Sequence, residues 1–177
     1  MNHITAINLL DHLLTPTITL KNDTLCSLAY YQHHDLASIT ALEAGASNHG
    51  WAEKNIASSL SSSHHCLGLT YNGEWIAHAV FSLAADEAEL LILSVAKAWQ
   101  GKGVATAFLS AIFPCLAHYA REVFLEVRES NSAAITLYDQ LGFNQLGVRP
   151  NYYPVMAGQS SGKKENALIF GLNIFVD

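Results

Sequence analysis

Positive charge is scarce in this chain. Lysine and arginine together number 9 against 15 aspartates and glutamates in 177 residues, a formal net charge of −6 with histidine neutral. Nucleic-acid binding rests on clustered Lys and Arg, so no nucleic-acid partner is expected; a cationic substrate is compatible with the balance. Cysteine is sparse as well. Cys26, Cys66 and Cys115 are odd in number and far apart, and they read as reduced thiols without a disulfide or zinc framework. No apolar run approaches the ~20 residues of a membrane helix. The N-terminus lacks a basic start followed by a long apolar stretch, so neither a signal peptide nor a membrane partner is expected, and the cytoplasm is the expected location. Two nucleotide loops are missing too. No Walker string occurs, and Gly101 and Gly103 are followed by Thr106 where the dinucleotide fingerprint needs a third glycine. His33-His34 and His64-His65 are adjacent pairs; neighbours on a strand point to opposite faces, so neither pair is a natural chelate and no metal is expected.

What is abundant is apolar. Half of the residues are hydrophobic and 14% are charged, which argues for a packed globule. The length fits one domain, over residues 23–177, behind an N-terminal extension of residues 1–22 that shows no clear period. Residues 25–31 read as a strand. Asp35 is a plausible N-cap for a helix carrying Leu36, Ile39, Thr40, Leu42 and Glu43 at helical spacing. Residues 51–60 give a second short helix and Ser61 to Ser63 a loop. Strands over 66–71 and 74–83 flank Asn72-Gly73, a strong hairpin signal. Residues 87–95 form a third run, apolar enough at its middle to be buried on both faces.

A helix then follows over 103–119, with Val104, Phe108, Ala111, Ile112 and Cys115 on one face and Pro114 predicting a kink or an early end. Residues 122–127 form a strand, residues 131–141 a helix stopped by Gly142, and residues 143–148 and 167–175 the last two strands. Residues 156–166, rich in Gly, Ser and Lys, read as a mobile loop. The order β-α-α-β-β-β-α-β-α-β-β is α/β, with a mixed, mostly antiparallel sheet and helices on its faces.

Chemistry concentrates where the run 90–95 enters a glycine loop and a helix leaves it: Val95-Ala96-Lys97-Ala98-Trp99-Gln100-Gly101-Lys102-Gly103-Val104-Ala105. Such a loop turns backbone N–H groups toward one point at the positive end of a helix, a way to hold a pyrophosphate without many basic side chains. The spacing Gln100-x-x-Gly103-x-Ala105 resembles the coenzyme A loop of the Gcn5-related N-acetyltransferases (GNAT), whose signature is Arg/Gln-x-x-Gly-x-Gly/Ala. Downstream, the stretch from Leu125-Glu126-Val127-Arg128 through Asn131 and Ala133-Ala134-Ile135 to Leu137-Tyr138-Asp139-Gln140-Leu141-Gly142-Phe143 resembles the second half of that fold. Within the family it is most similar to the bacterial ribosomal-protein-alanine N-acetyltransferases of the RimI type. Arg149-Pro150-Asn151-Tyr152-Tyr153-Pro154 resembles their Arg-Arg-Asn-Tyr-Tyr-Pro segment, and Gly50-Trp51-Ala52-Glu53-Lys54 their Pro-Trp-Ser-Glu-Lys segment. The resemblance spans residues 25–175 and is most specific after Glu89.

The resemblance implies the GNAT fold, with about seven strands and about four helices, and acetyl-CoA as co-substrate. It implies Glu126 as general base and Tyr138 as general acid toward the departing thiolate. By the residues alone, Glu126 reads as a strand-end carboxylate facing water, and Tyr138 as a core tyrosine. Leu93, Ser94 and Val95 would bind the pantetheine arm at a bulge and polarise the acetyl carbonyl. Gln100, Gly101, Lys102, Gly103, Val104, Ala105 and Thr106 would cradle the pyrophosphate. Asn131 would cap its helix and touch the cofactor. Trp51, Arg149, Asn151, Tyr152 and Tyr153 would wall a groove for an extended protein N-terminus, that of a ribosomal protein. Three positions depart from the pattern: Gly101 and Thr106 stand where the relatives carry Arg, and Pro150 replaces the second Arg of the Arg-Arg-Asn-Tyr-Tyr segment. Two other readings use the same residues, an acceptor that is a lysine, polyamine or small-molecule amine, and a non-catalytic acyl-CoA-binding module.

Overall fold

Apolar runs separated by turn residues give strands, and here they assemble into one sheet. The computed structural model describes residues 7–13, 16–154 and 164–175. Its strands are β1 (Thr17–Thr19), β2 (Leu25–Tyr30), β3 (His65–Tyr71), β4 (Glu74–Ala84), β5 (Glu87–Val95), β6 (Glu122–Arg128), β7 (Asn144–Pro154) and β8 (Lys164–Asn173). They lie in the order β1-β2-β3-β4-β5-β6-β8-β7. Only β5 and β6 run parallel; every other neighbouring pair is antiparallel. The helices are α1 (Leu36–Ala46), α2 (Glu53–Leu60), α3 (Val104–Leu116) and α4 (Ser132–Gln140). This is the expected α/β architecture with one strand more. The addition, β1, comes from the segment read as an extension without a period.

Helices cover both faces of the sheet. On one face Ile39 of α1 and Ile56 of α2 are buried with Tyr31, Cys66 and Val80. On the other, Phe108, Leu109, Ile112 and Leu116 of α3 meet Leu67, Leu69, Ala79, Phe81 and Leu125. Each such side chain contributes about 1.5–3 kcal/mol on burial. The three cysteines are free and buried.

Local chemistry explains the joints. Asn72 and Gly73 take φ of 51° and 82°, the two left-handed positions of a type I′ hairpin. Pro114 sits in the last turn of α3, which ends at Leu116; the proline removes one backbone donor there. Gly142, at φ 88°, closes α4 with two bonds, from Phe143 N–H to the Tyr138 carbonyl at 3.0 Å and from its own N–H to Asp139 at 3.1 Å. That is a Schellman stop.

β7 continues six residues past its expected end at 148, through Pro150 and Asn151. It is the outermost strand, so the N–H that proline lacks leaves no ladder bond broken. The register slips between Arg149 and Tyr153, and Asn151 turns left-handed at φ 53°. The expected loop over 156–166 lies mostly outside the described residues; β8 begins at Lys164, three residues ahead of expectation.

Candidate active site

A gap in the sheet makes the site. β5 and β6 pair only from Glu87 to Leu90 against Glu122 to Leu125. Beyond that point the strands part, and residues 91–95 of β5 have no partner on the β6 side. The cause lies on the opposite edge of β5. Against β4, Val80 pairs with Ile92 and Phe81 with Leu90, so Leu91 is an extra residue that bends the strand away. The bulge therefore falls at Leu91, two residues ahead of the Leu93-Ser94-Val95 position where it was expected.

The glycine loop follows β5. After a single 3-10 turn over Lys97–Trp99, Gly101 and Gly103 take φ of 71° and 76°. Left-handed backbone costs other residues roughly 1–2 kcal/mol, and here it folds the loop onto the start of α3. No side chain caps that helix. The N–H groups of residues 103–106 reach no protein acceptor among the described residues, and four orphan donors at the positive end of a helix form an anion cradle. They open on a cleft of about 510 Å³ between the loop and α4, with Ala133, Ala134, Thr136, Leu137 and Tyr138 as its far wall. This geometry fits a diphosphate.

Two expected phosphate ligands are otherwise engaged. The Gln100 amide donates to the Ala46 carbonyl at 2.9 Å and to the Val95 carbonyl at 3.0 Å. Both of its donors thus pin the loop to the end of α1 and to β5. The Lys102 ammonium lies 5.3 Å from the Trp99 ring centroid, a cation–π contact, and Lys102 is not among the cleft-lining residues. Lys21, from the turn between β1 and β2, is.

A second cleft, about 440 Å³, continues past the gap. Leu93, Val95, Gln100, Ala133, Ala134 and Tyr138 line both clefts; Ser94, Glu126, Asn131, Trp51 and Tyr153 line the second. Glu126 and Tyr138, distant in kind and in element, thus face one space. Glu126 alternates outward between buried Leu125 and Val127, and its carboxylate accepts from the Arg149 guanidinium at 2.9 Å. Tyr138 is 7% exposed, with its ring against Phe143 and Phe170. Burial, with the nearby Tyr153 hydroxyl, pushes its phenol well above the ordinary tyrosine range, so the proton stays on at neutral pH. The Asn131 side-chain Oδ1 accepts from Ala134 N–H at 3.2 Å as the α4 cap.

Of the five groove candidates, Trp51 and Tyr153 reach the second cleft, while Arg149, Asn151 and Tyr152 stand outside its lining. Tyr153 is held edge-on to Tyr152 at 4.9 Å between centroids and under the Arg128 guanidinium at 4.3 Å. Arg128 in turn donates to Glu165 at 2.6 Å. Asn151 donates its N–H to the Asn166 side chain at 3.0 Å.

One element of the site gave no functional signal in the sequence. Glu43 of α1 and His78 of β4 are fully buried and bonded at 2.6 Å. Glu43 also accepts from Trp51 N–H at 2.9 Å, and Tyr31 meets the other His78 ring nitrogen at 3.3 Å. Burial raises the Glu43 carboxyl, but bonds from His78, Ser94 and Trp51 outweigh it and hold the group below the usual carboxylate range. The network joins the groove wall at Trp51 to β5 at Ser94. Its helical spacing with Leu36 and Ile39 puts Glu43 on the inward face of α1; the partners it finds there appear only in the packed fold. Among the described residues no cluster of three or more His, Cys, Asp or Glu could hold a metal ion, and no helix is long and apolar enough to cross a membrane.

Comparison with known proteins shows the family and the fold. The sequence profile of the acetyltransferase (GNAT) family matches residues 29–143. The ribosomal protein bS18-alanine N-acetyltransferase of Escherichia coli is 36% identical over 141 residues, 79% of this chain and 92% of that one. The enzyme of the same name from Haemophilus ducreyi is 37% identical over 123 residues, 69% of this chain and 82% of that one. A crystal structure of the Escherichia coli ribosomal-protein-alanine N-acetyltransferase superposes with a TM-score of 0.77 at 33% identity, covering 86% of this chain and 96% of that one. YncA of Salmonella typhimurium, a putative acetyltransferase solved with its cofactor acetyl-CoA, shares the fold at a TM-score of 0.67 and 18% identity, over 86% of this chain and 95% of that one.

Proposed function

From a chain that belongs to the GNAT family and is an acetyl-CoA-dependent N-acetyltransferase, we propose acetylation of a protein N-terminus in the cytoplasm, that of the N-terminal alanine of a ribosomal protein. The observation that carries the reading is the shared cleft. Glu126 and Tyr138 face one space that is continuous with the N–H cradle at residues 103–106. A binding module without turnover would need neither.

The amine must be neutral to attack a thioester, and an α-amino group, with a pKa near 7.7–8.0, gives up its proton far more readily than lysine at about 10.4. Glu126 takes that proton, directly or through water, as the nitrogen bonds to the acetyl carbon. The unpaired end of β5, around Leu93 to Val95, faces the acetyl oxygen with backbone donors; one well-placed donor is worth roughly 3–4 kcal/mol in such a transition state. Tyr138, still protonated because it is buried, gives its proton to the leaving sulfur. Asn131 keeps α4, and so Tyr138, in register through its cap, leaving its amide N–H groups free toward the cofactor. Trp51 and Tyr153 flank the incoming chain.

The identity to the bS18-alanine enzymes over most of the chain supports the alanine acceptor. The test is acetyl transfer from acetyl-CoA to two peptides, one with a free N-terminal alanine and no lysine, the other N-terminally blocked with one lysine. Transfer to the first supports the proposal. Exclusive transfer to the second overturns it.

A further inference from the structure

Lys21 lies ahead of the residues that the family profile covers, which begin at residue 29. It nonetheless lines the loop cleft with Gly101, Gly103 and Thr106. A Cβ built on Gly103 would lie 3.9 Å from the Lys21 Cδ and 4.0 Å from its Cε. The aliphatic stem of this exposed lysine therefore runs alongside the motif glycine.

This placement is built rather than incidental. β1 pairs with β2 from Thr17 opposite Ser27 to Thr19 opposite Leu25. It packs against α3, the helix whose first N–H groups form the cradle. Ile18 and Leu20, which precede Lys21, are buried at 8% and 3% exposure. The turn closes through Leu20 N–H to Thr24 at 2.9 Å and Asp23 N–H to Leu20 at 3.0 Å. Among the described residues no carboxylate pairs with the Lys21 ammonium and no side-chain hydrogen bond engages it.

The cleft needs such a charge. Lys102 is drawn over Trp99 at 5.3 Å, and the described lining of the cleft holds no arginine and no lysine besides Lys21. We infer that Lys21, delivered by the β1–β2 turn, is the cation that pairs with the diphosphate of coenzyme A. The inference rests on the acetyl-CoA reading of the cleft. The segment before β2 thereby completes the cofactor site with a charge from outside the glycine loop.

The test is acetyl-CoA kinetics and coenzyme A calorimetry on Lys21→Ala, Lys21→Arg and wild type. Lys21→Ala is expected to raise the KM for acetyl-CoA and the Kd for coenzyme A roughly five- to tenfold with kcat unchanged. Lys21→Arg restores both, and the penalty shrinks in about 1 M salt. It persists with dephospho-coenzyme A, which keeps the diphosphate, and vanishes with acetyl-pantetheine, which has none. Affinity within about twofold of wild type for Lys21→Ala overturns the inference. So does a penalty lost with dephospho-coenzyme A, which would place the contact at the 3′-phosphate, or one retained with acetyl-pantetheine, which would make the role structural. Wild-type protein without affinity for coenzyme A would overturn the cofactor reading itself.

Discussion

Arg149 on β7 reaches past β8 to Glu126 on β6, its guanidinium donating to the carboxylate at 2.9 Å. The arginine is 55% exposed and the glutamate 19%, and an ion pair so open adds only about 0–1 kcal/mol to stability. Its effect is on direction: it holds the carboxylate at the mouth of the cleft that Tyr138 shares. Glu126→Gln is expected to lower kcat by roughly 10²–10⁴ while the KM for acetyl-CoA stays within about twofold. Arg149→Ala frees the carboxylate without removing it, so its loss is smaller, at most about 10². Steady-state kinetics on both variants check the order; an Arg149→Ala loss as large as that of Glu126→Gln would contradict it.

Tyr138 is the complementary case. Its ring is core and its hydroxyl faces the clefts, so Tyr138→Phe keeps the packing and removes the proton. Thermal stability is expected to hold, while kcat falls roughly 10²–10⁴. Because the phenol is held well above its usual range, its ionisation contributes no fall in rate below about pH 10. A descending limb between pH 8 and 10 that disappears in the phenylalanine variant would contradict the raised phenol pKa, and a kcat within about twofold of wild type for Tyr138→Phe would refute the acid role.

Amine selectivity follows from protonation. At pH 7 an α-amine is neutral several hundredfold more often than a lysine side chain, roughly, by the gap between about 7.8 and 10.4. Peptides matched except for which amine is free should therefore differ in kcat/KM by at least about that factor. A lysine peptide as good as the N-terminal one would mean that the protein takes its proton some other way.

Glu43 predicts an acid-dependent loss of stability. Its folded-state pKa is depressed, so its contribution is full above the unfolded value near 4.3 and is lost as pH falls through the folded one. Removing one partner of a buried pair costs about 3–5 kcal/mol. Glu43→Ala should be destabilised by that order at pH 7 in urea unfolding, with the gap to wild type narrowing below about pH 4. A gap constant with pH would show that packing, not the ionised carboxylate, carries the effect.

Much of this was legible in the residues. The hairpin at Asn72-Gly73, the Gly142 stop and the glycine loop are local chemistry, and each sits where its composition puts it. The shared face of Asn131 and Tyr138 follows from helical spacing. What escaped depends on tertiary approach. β1 has three residues, Thr-Ile-Thr, too few to show a period, and it is a strand because β2 offers it an edge. Pro150 and Asn151 look like the end of a strand, yet an outer edge tolerates both. Gln100 reads as a ligand and acts as a clamp because carbonyls of two other elements converge on its amide. Lys21 carries no local mark, and for Glu43 the spacing gives its face of α1 but not its partners; the packing of β1 on α3 and of α1 on β4 brings them to the site.

The central claim is that the unpaired N–H groups of residues 103–106 grip the diphosphate of acetyl-CoA. Calorimetric titration with coenzyme A and with pantetheine, which lacks the diphosphate, tests it most directly. Saturable heat with coenzyme A and none with pantetheine at the same concentration is the expected result. Equal affinity for both, or no heat with either, would contradict it.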